Sequence, residues 1–130
     1  MESSVLVLLV EDEGLILVTL TETLQEGGFT VAAAGTGEQA LQMLNAQSED
    51  NGYRALITDV NLGNDRLSGW DVARRAREIN ESLPVIYMTA DSAPDWGSKG
   101  VPNSILLEKP FALAQVVTAV AQLLNEAKTG

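Results

Sequence analysis

Short apolar runs alternate with stretches of helical periodicity along this chain, and five such pairs can be counted. Continuous apolar runs are typical of strands buried on both faces, as in a parallel sheet covered by helices on each side. We therefore predict an α/β fold of the doubly wound class. The strand candidates are residues 5–10, 30–34, 55–58, 85–88 and 105–107. The second run is the least hydrophobic, which favours an edge position in the sheet.

The helices predicted between the strands differ in regularity. The clearest is the last, where apolar residues recur at helical spacing from Leu113 to Leu124, and its apolar face should pack flat on the sheet. A third helix is expected near residues 70–81. Residues 90–104 include two prolines and two glycines, the residue types with the poorest helical propensity. The fourth helix should therefore be short or irregular.

The length and composition predict the number of domains and disfavour some classes of partner. With 130 residues, 45% of them hydrophobic, the chain is expected to form one globular domain over residues 1–130. Eighteen acidic and eight basic residues give a net charge of −10, which disfavours binding to nucleic acid or to an anionic membrane. The apolar runs are too short for a membrane span and no signal peptide is visible, so we expect a cytoplasmic protein.

Polar residues stand at the ends of four of the predicted strands, and they define the available chemistry. The sequence has no cysteine and no histidine, so thiolate zinc sites, cysteine nucleophiles and imidazole bases are excluded. The carboxyl ends of parallel strands meet at one edge of the sheet, where open α/β folds bind ligands. We expect these side chains to converge there: Glu11, Asp12, Glu13, Asp59, Thr89 and Lys109.

Such a cluster favours magnesium and phosphoryl chemistry. Neighbouring carboxylates repel each other, and a divalent cation relieves the repulsion. Mg²⁺ prefers a few carboxylates together with water and phosphate oxygens, which fits Glu11, Asp12 and Asp59. A carboxylate can also attack phosphorus, with Lys109 and Thr89 as partners for the phosphoryl oxygens. Taken singly, the acids after the first strand could only cap a helix, and Asp59 could be an ordinary turn residue.

Four segments make the sequence resemble the receiver domain of bacterial response regulators over its whole length. They are LVLLVEDE at residues 6–13, LITDVNL at 56–62, PVIYMTA at 84–90 and EKPF at 108–111, in the family's order and approximate spacing. The resemblance implies a flavodoxin-like (βα)5 fold with strand order 2-1-3-4-5. It also implies the following site residues: Asp59 as phospho-acceptor, Glu11, Asp12, Asp59 and the Asn61 backbone carbonyl around Mg²⁺, and Thr89 and Lys109 on the phosphoryl group. A cis bond between Lys109 and Pro110 is implied as well.

The implied function is that of a single-domain response regulator in two-component signalling. The sequence ends soon after its fifth predicted helix, so we expect no output domain and a signal read by protein–protein interaction. Because the chain has no histidine, the phosphoryl group should come from a separate histidine kinase or histidine phosphotransfer protein. We expect a monomer or weak dimer that accepts phosphate by Mg²⁺-dependent self-catalysis and is not a turnover enzyme.

Two alternatives stay open on the sequence alone. A pseudo-receiver would keep the fold as an interaction module without the chemistry, although competent residues fill every site position. An aspartyl-phosphate phosphohydrolase would use a similar site, but such enzymes resemble an Asp-x-Asp pattern, and Asn61 stands in place of its second acid. The sequence also departs from the receiver pattern. Gly63 stands where proline is common, residues 64–68 form a longer loop, and Leu106 replaces an aromatic residue that usually moves on activation.

Two surfaces are predicted to meet partners. Residues 15–18 are four consecutive apolar residues in the first helix, and at about 100° per residue they cannot all face the sheet. Those facing solvent would form a kinase-docking patch beside the acidic site, or be ordinary exposed residues. Since Leu106 cannot act as an aromatic switch, activation should be read through residues 90–104. Trp96 would be offered to a partner in one state, or else cover the core in both.

Overall fold

The computed structural model describes residues 5–46, 52–63 and 66–129, with side chains described up to residue 125. The strands are β1 (Val5–Val10), β2 (Phe29–Ala34), β3 (Ala55–Asp59), β4 (Val85–Thr89) and β5 (Ile105–Glu108). The helices are α1 (Gly14–Glu26), α2 (Gly37–Ala46), α3 (Gly69–Ile79), α4 (Trp96–Lys99) and α5 (Leu113–Thr129). Every predicted strand is confirmed to within one residue at each end.

All five strands are parallel and belong to one sheet in the order β2-β1-β3-β4-β5. This confirms the flavodoxin-like, doubly wound fold. The chain order reverses between β1 and β3, where Val10 is paired with Thr58. The residues that follow this pair therefore leave the sheet side by side. The weakly hydrophobic second run is an edge strand, as predicted, and most of its residues are partly or fully exposed.

The sheet separates two apolar cores, one on each face. Alternate residues of β1 enter different cores: Leu8 and Val10 pack on the side of α2 and α3. Val7 and Leu9 pack on the side of α1 and α5. Because the central strands are covered on both faces, both sets of alternating positions must be apolar, which explains the continuous runs in the sequence.

The apolar face of α5 is confirmed except at its beginning. Val116, Val120 and Leu123 are buried against the sheet, whereas Leu113 is 41% exposed. The predicted stripe is therefore wrong at its first residue, which lies a turn before the first buried position of the helix. In the part of the chain that the structure describes, no helix is long and apolar enough to cross a membrane.

Residues 90–104 form a short and irregular fourth helix, as predicted. A 3-10 turn (Ala93–Asp95) leads directly into the single turn of α4. The far end of the segment is attached to the core, because the Val101 N–H donates to the buried Tyr87 hydroxyl at 3.0 Å and the Arg77 guanidinium donates to the Pro102 carbonyl at 2.7 Å. Within the lengthened loop predicted over residues 64–68, residues 64 and 65 lie outside the described residues.

Candidate phosphoryl and magnesium site

Three carboxylates converge at the carboxyl ends of β1 and β3. Glu11, Asp12 and Asp59 each place one carboxylate oxygen within 4.8 Å of the others. Glu11 follows the last residue of β1 and its N–H donates to the Ala34 carbonyl at 3.1 Å, whereas Asp59 is the last residue of β3. Glu11 and Asp59 are buried and Asp12 is exposed. The strand register therefore brings the predicted acids together.

Lys109 reaches this cluster from the end of β5. Its Nζ lies 3.4 Å from Glu11 Oε1 and 3.5 Å from Asp59 Oδ2. Its backbone N–H donates to the Thr89 carbonyl at 2.8 Å, which ties the end of β5 to the end of β4. The bond between Lys109 and Pro110 is cis, as the sequence resemblance implied. One ammonium group thus lies between two buried acids.

The protonation behaviour of the cluster follows from its burial. Burial, followed by the charge of Asp59, raises the pKa of Glu11 from 4.5 to about 7, against the opposing effects of the Glu13 N–H and of Lys109. Burial also raises the pKa of Asp59, although Lys109 opposes that rise. Burial lowers the pKa of Lys109, but Asp59 and Glu11 outweigh it and the net shift is upward. One ammonium does not fully offset two buried carboxylates, which favours an additional cation.

Thr89 and Asn61 occupy the same edge of the sheet. Asp59 is paired with Met88 of β4, so Thr89 is the residue immediately after that pair. Thr89 is 2% exposed, and its Oγ1 accepts the N–H groups of Asp91 at 3.3 Å and Ser92 at 2.8 Å. Asn61 is exposed two residues after Asp59. The contact of its carbonyl with a metal stays a prediction.

The acids after β1 do more than cap a helix. Glu13 is the N-cap residue of α1, but its side chain makes no capping hydrogen bond. Its N–H instead donates to Glu11 Oε2 at 3.1 Å, so the start of the helix holds the Glu11 carboxylate in place. Glu13 itself is exposed and does not belong to the group of three converging carboxylates.

Two glycines support the site in ways that the sequence did not reveal. A Cβ on Gly69 would overlap the backbone carbonyl of Asp59, so α3 begins directly against the end of β3. The Ser68 and Asp71 capping box, visible as spacing in the sequence, fixes that start. A Cβ on Gly63 would lie 2.6 Å from Asp12 Oδ2. The sequence shows Gly63 only as a departure from the family pattern, because its proximity to Asp12 is not local in sequence.

Comparison with known proteins agrees with this geometry. A model of the response regulator receiver domain family matches residues 7–121. The response regulator MprA of Mycobacterium ulcerans is 32% identical over 96% of this chain and 52% of its own length. The transcriptional regulatory protein CusR of Escherichia coli is 33% identical over 91% of this chain and 50% of its own length. The chain therefore spans about half the length of these curated relatives.

Solved structures give the same result. A response regulator receiver protein from Sinorhizobium medicae superposes with a TM-score of 0.90 at 41% identity, covering 96% of this chain and 98% of its own. The receiver domain of a Pseudomonas aeruginosa sensor histidine kinase, with magnesium in its active site cleft, has a TM-score of 0.77 at 24% identity and covers 95% and 99% of the two chains. At that identity the likeness concerns the fold alone. The family match, the sheet order and the acidic cluster agree, and this chain belongs to the receiver domain family of two-component response regulators.

Proposed function

We propose that this receiver accepts a phosphoryl group on Asp59 from a histidine kinase or a histidine phosphotransfer protein and passes the signal on by contact with another protein. The observation that carries the proposal is the position of the Asp59 carboxylate. It lies 3.5 Å from the Lys109 ammonium and within 4.8 Å of the Glu11 and Asp12 carboxylates. These 130 residues include no histidine, so the donor phosphohistidine lies outside them.

Phosphoryl transfer requires Asp59 to attack phosphorus as a carboxylate. A P–O bond forms to Asp59 while the P–N bond to the donor imidazole breaks, and the electron pair of that bond returns to the imidazole nitrogen. The Lys109 ammonium would offset negative charge on the phosphoryl oxygens. The Thr89 hydroxyl, at the same edge of the sheet, would contact those oxygens as well. The product is an acyl phosphate on a chain that accepts one group and does not turn over.

The donor set of the cluster fits Mg²⁺. Its carboxylates come from Glu11, Asp12 and Asp59, and the backbone carbonyl of Asn61 would complete the protein ligands. These are hard oxygen donors, and Asp12 and Asn61 are exposed, so water and phosphate oxygens could reach the ion from that side. Mg²⁺, when bound, neutralises charge on the transferring phosphoryl group. The three carboxylates favour binding of the ion, because a bound cation relieves the repulsion between them.

The proposal is tested by incubating the intact chain with Mg²⁺ and acetyl phosphate, followed by intact-mass measurement and peptide mapping. The expected result is a single labile phosphoryl group, about 80 Da, on the peptide containing Asp59. Absence of the group with acetyl phosphate and with phosphorylated kinases would favour the pseudo-receiver. Steady release of many equivalents of phosphate from an ester would favour a phosphohydrolase.

The donor protein is expected to dock on α1 beside the site. Leu15 is 76% exposed and Val18 is 56% exposed, whereas Ile16 and Leu17 pack against the core. Of the four consecutive apolar residues, two therefore pack in the fold and two face solvent. An exposed apolar pair next to a cluster of acids is suited to a partner that brings both an apolar surface and the phosphorylated side chain.

Aspartate at both Leu15 and Val18 should slow phosphotransfer from a kinase or phosphotransfer protein by about tenfold or more, because it places charge in an apolar contact. Phosphorylation by acetyl phosphate should be unchanged, because the site itself is intact. The matched control is Ile79→Asp, since Ile79 is 47% exposed but lies on α3, across the sheet. Equal slowing by the control variant, or no slowing by the α1 variant, would contradict docking at α1.

The signal is proposed to leave through residues 90–104. Leu106, in the place of the usual aromatic residue, is packed against the core and has no ring to rotate. Thr89, in contrast, accepts two N–H groups at the start of the segment, from Asp91 and Ser92. A Thr89 hydroxyl that turns toward a phosphoryl group would release these bonds. The start of the segment would then rearrange while its far end stays attached to the core.

Trp96 should report this rearrangement. The residue is 37% exposed, and its indole N–H donates to Ser104 Oγ at 2.9 Å. In a Trp70→Phe variant, the beryllofluoride mimic of a phosphoryl group should change both Trp96 fluorescence and amide exchange over residues 90–104. The matched control is a Trp96→Phe variant, whose remaining Trp70 is 5% exposed and should keep its emission when the mimic binds. Unchanged emission and exchange with Asp59 occupied would place the switch elsewhere.

Several finer features stay predictions from the sequence. The chain spans about half the length of MprA and CusR. We therefore keep as predictions its single-domain arrangement, its signalling through a downstream protein and its monomeric or weakly dimeric state. The cytoplasmic location and the lack of binding to nucleic acid or membrane are also predictions. The net charge of −10 supports the last of these, since a strongly acidic surface repels polyanions.

A further inference from the structure

Gly63 lies against the Asp12 carboxylate, four residues after Asp59 on the loop that leaves β3. Its backbone is in the left-handed region, with a φ of 68°, which glycine adopts without steric cost. An ideal Cβ at this position would be 2.6 Å from Asp12 Oδ2 and 3.6 Å from Asp12 Cγ. Real Cβ atoms essentially never approach a neighbour closer than 3.0 Å. Any side chain at position 63 would therefore displace either the loop or the carboxylate.

The carboxylate is the part that would move. Glu11 and Asp59 are buried and share the Lys109 ammonium, so they have little freedom to change position. Asp12 is exposed and can rotate its short side chain toward solvent. The space beside Gly63 is thus what allows Asp12 to keep its oxygen within 4.8 Å of the other two carboxylates.

We propose that Gly63 is a positioning residue for the magnesium site: its missing Cβ leaves the room that the Asp12 carboxylate needs beside Asp59. The inference rests on the proposed function, because it takes the three carboxylates as the Mg²⁺ site. It predicts that the loop after β3 tunes the affinity for the ion through the rotamer of Asp12. It makes no demand on the fold, since Gly63 is exposed and outside both cores.

The test is a Mg²⁺ titration of the wild-type chain and of the Gly63→Ala and Gly63→Asn variants. Amide chemical shifts measured by NMR report the binding. Both variants add a Cβ, but asparagine tolerates a positive φ far better than alanine. Both should bind Mg²⁺ about tenfold or more weakly than the wild type, the usual effect of disturbing the groups that orient a metal ligand. Thermal unfolding in EDTA should separate this loss of affinity from any loss of stability.

Two other glycines provide matched controls. Gly28 has a φ of 98° and no heavy atom within 4 Å of an added Cβ, so Gly28→Ala introduces backbone strain without contact. Gly14 lies close to the acidic cluster in sequence and also has open space around an added Cβ, so Gly14→Ala introduces a methyl group without contact. Both controls should keep a wild-type Mg²⁺ affinity.

The possible results separate this inference from the proposed function. Wild-type Mg²⁺ affinity in both Gly63 variants would overturn the inference while leaving phosphorylation of Asp59 intact. Weakened binding in Gly63→Ala alone, with normal binding in Gly63→Asn, would also overturn it, because backbone strain and not the Cβ would then be the cause. A wild-type chain that binds no Mg²⁺ would instead overturn the proposed function.

Discussion

Asp59→Asn should reduce phosphoryl uptake from about one group per chain to none that can be measured, with kinase and with acetyl phosphate alike. The carboxamide has no anionic oxygen to attack phosphorus, and no other buried carboxylate can replace it without losing its own role. Glu11 is the only similarly buried acid among the described residues, and its contacts with Lys109 and the Glu13 N–H hold it in place. Intact mass and radiolabel stoichiometry measure the loss.

A matched variant distinguishes the loss of the acceptor from the loss of a charge. Asp95 is an exposed carboxylate in the 3-10 turn before α4, so Asp95→Asn changes the net charge equally and should keep full uptake. EDTA should suppress labelling of the wild type in the same assay. Normal labelling of Asp59→Asn would contradict the assignment of the acceptor, and normal labelling in EDTA would contradict the need for Mg²⁺.

Without divalent cations, the free energy of unfolding should fall by about 3 kcal/mol as the pH rises from about 4.5 to about 7. The pKa of Glu11 rises from 4.5 to about 7 on folding, and each unit corresponds to about 1.4 kcal/mol. The folded chain holds this proton more tightly than the unfolded chain, so stability is highest while Glu11 is protonated and is lost as the pH passes through this window. The raised pKa of Asp59 acts in the same direction. Urea unfolding in EDTA over this pH range measures the effect.

Replacing a buried and an exposed glutamate with glutamine identifies the source of this pH dependence. Glu11→Gln should remove most of it, since the buried charge is gone and its repulsion of Asp59 with it. Glu22→Gln, at an exposed position of α1, should keep the wild-type slope. Saturating Mg²⁺ should stabilise the wild type most at neutral pH, because it binds the deprotonated acids. A flat profile in EDTA would show that the buried acids cost the fold nothing.

The sequence by itself determined the strands, the sheet class and the chemistry-bearing residues. Fully buried strands must be apolar at every position, and this leaves a pattern that needs no knowledge of contacts. The carboxyl ends of parallel strands always meet at one edge, so Glu11, Asp59 and Lys109 could be assigned to one site. Their roles, the strand order and the cis bond before Pro110 came from the resemblance to receivers.

The tertiary structure decided what depends on distance and on the facing of side chains. Residues 15–18 are all apolar, yet only the packing of α1 on the sheet leaves Leu15 and Val18 exposed and brings the half-buried Ile16 and Leu17 against the core. Leu113 fits the helical stripe but lies beyond its buried part. The contact between Gly63 and Asp12 joins two loops far apart in the chain. Local periodicity carries no such information, because contacts between distant segments are set by the strand register and the paths of the loops.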